Sequence, residues 1–112
     1  MVQLVRSEKF RKLIEAKGKN RLLLFSLGQA LFEEGKFDAC LSPLQDCAQM
    51  DSTWMMPRIL LGRAQKNLNR TEAAREWLES ALGLAIDQNH DQPREELTGM
   101  LDELDQDQSF SG

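Results

Sequence analysis

The dipeptide Leu27-Gly28 returns as Leu61-Gly62, 34 residues later, and its surroundings return with it. At the same interval Cys40 maps onto Ala74, Leu44 onto Leu78 and Cys47 onto Ala81. A fixed period of this length, with glycine in a first helical segment and small residues in a second, marks a helix-turn-helix repeat array. Each unit of such an array buries its apolar face only against its neighbours, so the helices must stack and leave a groove. That restricts function to binding or scaffolding. It does not name a partner.

A chain of 112 residues is one domain by size. Hydrophobic content of 41% and charged content of 29% are those of a globular chain and not a disordered one. The net charge of −4 argues against non-specific binding of nucleic acid, which needs basic surface. The charge is unevenly spread: residues 1–21 hold seven basic groups against Glu8 and Glu15, and residues 86–112 hold eight acids against Arg94. In an elongated stack this gives a basic end and an acidic end. They are read either as solvated faces that aid solubility or as complementary ends for head-to-tail association.

The segment Met1-Val2-Gln3-Leu4-Val5-Arg6 lacks the apolar core of an export signal. The most apolar stretch, Leu22 to Phe32, is eleven residues long and interrupted by Ser26, Gly28 and Gln29. A bilayer needs roughly 20 residues, so no membrane association is expected. Cys40 and Cys47 lie about 10 Å apart along a helix, beyond the reach of a disulfide. A reducing cytoplasmic setting is the expectation.

Hydrophobic periodicity and cap residues predict six helices and no strand. They run from Ser7 (as N-cap) to about Ala16, Arg21 to Glu34, Phe37 to about Met50, about Thr53 to Leu68, Thr71 to about Asp87, and Pro93 to about Leu104. Asn20, Asp51 or Ser52, and Thr71 are the expected caps, and Pro93 suits a first turn. Pro43 falls inside the third helix, where it should cost about 3 kcal/mol; a kink is expected, with an irregular first turn as the alternative.

The spacing resembles the tetratricopeptide repeat, whose pattern runs W-x₂-L-G-x₂-Y, then A-x₃-F, then A and P. The first repeat reads Leu24, Leu27-Gly28, Leu31, then Gly35 and Phe37, then Cys40, Leu44, Cys47. The second reads Arg58, Leu61-Gly62, Gln65, then Asn69 and Thr71, then Ala74, Leu78, Ala81. The Trp, the Tyr and the final Pro of the pattern are missing, with Ser52 and Ile86 where Pro would stand. The resemblance implies an all-α, right-handed α-solenoid of antiparallel helix pairs forming one domain over residues 1–105. Within it fall an N-terminal capping helix (7–16), repeats over 20–53 and 54–87, a C-terminal capping helix (92–104) and a flexible tail (106–112). The chain is similar to short stand-alone bacterial proteins of two such repeats, a group of mostly unassigned activity.

By the family's register, the first helix of each repeat lines a concave face. Those positions are Leu22, Phe25, Gln29, Phe32 and Glu33, then Met56, Ile59, Leu60, Arg63, Lys66 and Asn67. Members that bind acidic chaperone tails carry a Lys, Asn and Arg clamp here; Phe25, Gln29, Met56, Ile59 and Leu60 replace it. The resemblance therefore implies a non-catalytic module that binds a peptide or helix of a partner protein in an apolar groove, with Arg63 and Lys66 as a basic rim. Phe25, Phe32, Met56 and Ile59 supply apolar contact, and Trp54 is a hot-spot type of anchor. The alternatives are a homodimer closed by the same face and a face covered by neighbouring helices. His90 is the sole histidine, Cys40 and Cys47 read as small core residues, and Glu33-Glu34 and Glu95-Glu96 read as solvated faces. No metal site, cofactor or catalytic set is expected from these residues.

Overall fold

The computed structural model describes the backbone of residues 4–111 and the side chains of residues 4–106. Among the described residues six helices follow one another: α1 (Arg6–Lys17), α2 (Arg21–Glu33), α3 (Leu41–Met50), α4 (Met55–Asn67), α5 (Thr71–Asp87) and α6 (Asp91–Ser111). Each packs against the next, α2 also touches α4, and the stack extends over 48 × 32 × 20 Å. The expected tail 106–112 overlaps the end of α6, and the side chains of residues 107–112, Phe110 included, lie outside the described residues.

Short-range chemistry sets most helix ends. Asn20 caps α2, its side-chain oxygen accepting from the Leu23 N–H at 2.9 Å. At the close of α2 the Lys36 N–H reaches back to the Leu31 carbonyl, and Gly35 takes φ +78° to allow it. Asn69, at φ 61°, repeats the device at the close of α4, with the Arg70 N–H on the Gln65 carbonyl. Asparagine tolerates this left-handed geometry better than most side chains do.

Four expectations about helix starts are corrected. Ser7 is not a cap: it lies inside α1, 1% exposed, and its hydroxyl donates to Glu34 Oε1 at 2.7 Å. Thr71 is likewise inside α5, where Arg70 holds the cap position without a side-chain bond. The third helix begins at Leu41 and not Phe37, so Pro43 stands third in α3 and produces no mid-helix kink. There its missing N–H is one the helix would leave unpaired anyway. Pro57 fixes the start of α4 in the same way, standing third in a helix that opens at Met55 and not Thr53. Asp51 consequently serves the turn, accepting from the Thr53 N–H at 3.0 Å and hydroxyl at 2.7 Å.

The repeat is visible in the core. Leu27, Leu44 and Cys40 are buried, and so are their equivalents Leu61, Leu78 and Ala74. An added Cβ at Gly28 would stand 2.6 Å from Leu44 Cγ, and one at Gly62 would stand 2.5 Å from Leu78 Cδ2. Helices of one pair thus meet where the first has no side chain. Arg58, which replaces the apolar Leu24 of the first repeat, lies over the Trp77 ring and donates to the Ser80 hydroxyl of α5. Gln65, in the place of Leu31, is 7% exposed and accepts from Arg70. Polar residues therefore join α4 and α5 where leucines join α2 and α3.

Candidate functional site

The first helix of each pair carries one stripe spaced by three, four and three residues. On α2 it is Leu22, Phe25, Gln29 and Phe32; on α4 it is Met56, Ile59, Arg63 and Lys66, all displaced by 34. The same spacing recurs on α6 as Pro93, Glu96, Met100 and Glu103, displaced by 37.

These stripes are adjacent in space. The Arg63 guanidinium sits 5.0 Å from the centre of the Phe32 ring, tying α4 to α2. Phe32 meets Phe37 edge-on at 5.3 Å, and Phe25 lies 4.8 Å from Trp54. The backbones of α4 and α6 stand apart, and Lys66 bridges to Glu103 at 3.3 Å. The gap between them holds two open clefts. One, of about 350 Å³, is lined by Trp54, Met55, Met56, Ile59, Pro93 and Glu96 among others. The second, of about 430 Å³, is lined by Arg63, Lys66, Asn67, Met100 and Glu103 with Leu78 beneath.

Exposure separates the expected site residues. Leu22 is 68% exposed and Met56 45% exposed, large apolar side chains left in water. Phe25 and Phe32 are half-buried and pack against the first core cluster, and Ile59 against the second. Gln29 is half-buried, while Arg63 and Lys66 are exposed. Leu60, on the same helix, is 5% exposed and belongs to the core. Glu33 is tied to Arg6 at 2.7 Å and so faces α1. Sequence spacing missed the α6 stripe. The 3-4-3 pattern was present, but α5 ends at Asp87, three residues beyond Leu84, the equivalent of the α3 end at Met50, which moves the third stripe off the 34-residue period.

Chemistry elsewhere is muted. Cys40 and Cys47 are free thiols fully enclosed in the core, and burial pushes both up to about 11. Among the described residues no group of three or more His, Cys, Asp or Glu side chains converges as a metal site would. No described helix is long and apolar enough to cross a membrane.

No family model matches the chain. The TPR repeat-containing protein PA0015 of Pseudomonas aeruginosa is 32% identical over 91 residues, 80% of this chain and 87% of that protein. Protein BPP2914 of Bordetella parapertussis, a solution structure, superposes with TM-score 0.83 at 27% identity, covering 97% of this chain and 94% of that one. PcrH in complex with the chaperone binding region of PopD gives TM-score 0.82 at 18% identity, over 91% of this chain and 77% of that one. With a relative this similar over most of both sequences, and with its own repeats buried in register, the chain belongs to the family of tetratricopeptide repeat proteins.

Proposed function

We propose that the chain holds a segment of a partner protein against the stripes of α2, α4 and α6, without catalysis. The observation that carries this reading is the pair of exposed apolar side chains, Leu22 at 68% and Met56 at 45%, on successive first helices of the repeat. Exposed apolar surface of this kind, next to clefts with polar rims, marks interaction sites. The aromatic pair Phe25–Trp54 gives the surface a rigid floor, and Arg63 and Lys66 give it a cationic edge. PcrH, which shares the fold, is known in complex with a region of PopD, which supports docking of a polypeptide on such a scaffold.

The α6 stripe adds a preference. Glu96 lines the cleft that holds Met56 and Ile59, and it accepts a hydrogen bond from Gln92 on its own helix at 3.2 Å. A bound segment with apolar side chains for Met56 and Ile59 and a basic side chain for Glu96 suits this cleft.

The test is a photoreactive amino acid placed at Leu22 or Met56, with Gln45 on the exposed side of α3 as control, followed by irradiation in the host cell. Adducts to one heterologous polypeptide from positions 22 and 56, absent from 45, support the reading. They should be lost with Ile59→Glu. Adducts of twice the chain's mass would instead make the face a self-interface, and equal adducts from all three positions would overturn the proposal.

A further inference from the structure

We propose that the protein associates head to tail, the outer face of α1 on one copy docking on the outer face of α6 on the next. This surface is separate from the groove.

The inner side of α1 is occupied: Ser7, Phe10 and Ile14 face Glu34 and the first core cluster. Opposite them run Val5, Lys9, Lys12 and Ala16, all exposed and spaced by four, three and four residues. On α6, Leu97 and Leu104 face the core. Opposite them run Asp91, Glu95, Gly99 and Asp102, exposed and spaced by four, four and three. At 1.5 Å per residue both stripes are about 16 Å long. One is cationic and the other anionic.

Three of the charges nearer the neighbouring helices are already engaged. Arg6 pairs with Glu33, Glu103 with Lys66, and Asp105 with Arg75. Among the described residues, Lys9, Lys12, Asp91, Glu95 and Asp102 have no such partner. Other unpaired charges, among them Glu8, Arg11 and Glu15 on α1 and Arg94 and Glu96 on α6, lie off these two stripes, so each stripe keeps a single sign. Beside the basic stripe, Val5 is 43% and Leu13 37% exposed, apolar area for contact once the charges have steered the approach. A chain of net charge −4 favours its own basic end over a generally anionic surface only if a complementary acidic stripe is presented, and α6 presents one.

Helix order points the same way. Phe10 in α1 stands 34 residues before Leu44, so α1 occupies the place of a second helix of a pair. The stripe of α6 marks it as a first helix. Placing α1 of one copy after α6 of another continues the alternation of first and second helices across the junction. Such a contact is heterologous, so it propagates and does not close at two copies.

The test is sedimentation velocity of the full chain over a concentration series reaching about 1 mM, in roughly 20 mM and roughly 500 mM salt, where screening differs widely. The expected result is a mean mass that rises with concentration in low salt, does not level at twice the chain mass, and falls to monomer in high salt. Two charge-reversed variants follow, K9E/K12E and E95K/D102K. Each alone should weaken self-association at least about tenfold, since exposed attractions become repulsions. Mixed, they should associate again in low salt and propagate in alternation, because the acidic α1 of the first meets the basic α6 of the second while the unaltered α1 of the second meets the unaltered α6 of the first. A wild-type monomer throughout, variants that associate like wild type, or a mixture that stays monomeric would each overturn the proposal. Adducts in the groove test are read at other helix faces, so failure here leaves that reading standing.

Discussion

Glycine to alanine in the middle of a helix normally stabilises, by up to about 1 kcal/mol. This protein should give both signs from four positions. At Gly28 the new Cβ would lie 2.6 Å from both Cγ and Cδ2 of Leu44, a side chain with 0% exposure in the first core cluster. Carbon atoms settle at about 3.5–4.0 Å, so α3 must retreat by about 1 Å or Leu44 must leave its rotamer. Overpacking of this kind costs about 1–3 kcal/mol, which exceeds the helix-propensity gain, and a net loss of about 1–2 kcal/mol is expected. Gly62→Ala meets Leu78 at 2.5 Å and should behave alike. Gly83 and Gly99 lie within α5 and α6 with no atom inside 4 Å of an added Cβ, so their alanine variants should gain stability. Urea unfolding followed by circular dichroism reads all four. A double-mutant cycle sharpens it: in a Leu44→Ala background the clash is gone, and Gly28→Ala should become neutral or favourable. Equal stability changes at Gly28 and Gly99, or no coupling between Gly28 and Leu44, would refute the close-approach argument.

Three further outcomes are expected. Hydrogen bonds from Ser7, above all from its hydroxyl, hold the Glu34 carboxyl below its usual value of 4.5, with Lys36 adding to the effect against desolvation. The folded pKa is depressed, so this stabilisation is present above pH 4.5 and is lost as pH falls through the lower folded value. Ser7→Ala should therefore cost about 1 kcal/mol near neutrality and progressively less in acid, as thermal unfolding at a series of pH values will show. The thiols of Cys40 and Cys47, pushed to about 11 and fully enclosed, should resist iodoacetamide at pH 8 until denaturant opens the fold. Pro43→Ala should leave the helix content of α3 unchanged by circular dichroism, because Pro43 occupies the first turn; a marked gain in helix would restore the kink.

The period carried much of this structure. Positions related by 34 residues occupy equivalent places, so Leu22 to Phe32 and Met56 to Lys66 were readable as matching stripes once the family's register was laid on that spacing. What spacing could not carry was contact distant in sequence. Ser7 has the composition of a cap, yet its partner Glu34 lies 27 residues away, and that bond draws the serine into the α1–α2 junction. Pro43 misled for a different reason: Cys40, Leu44 and Cys47 keep helical spacing through a turn that precedes the helix, so periodicity outran the hydrogen-bonding rule. The backbone constraint won, as it did at Pro57.

The third stripe shows why the proposed binding face is harder to read than the core. Core positions are held by contact with the adjacent helix and repeat wherever the pair repeats. A groove residue needs only to point the right way, so the extra length of α5 shifts α6 along the sequence while leaving its face in place. With it Glu96 shares a cleft with Met56 and Ile59 of α4, and Glu103 shares one with Lys66. It also changes the chemistry across the groove, from an apolar wall on α2 to an acidic wall on α6. On the reading proposed above, a scaffold with that gradient would fix the direction of a bound segment. Apolar contact alone would let it slide, whereas a basic side chain seated at Glu96 would set its register.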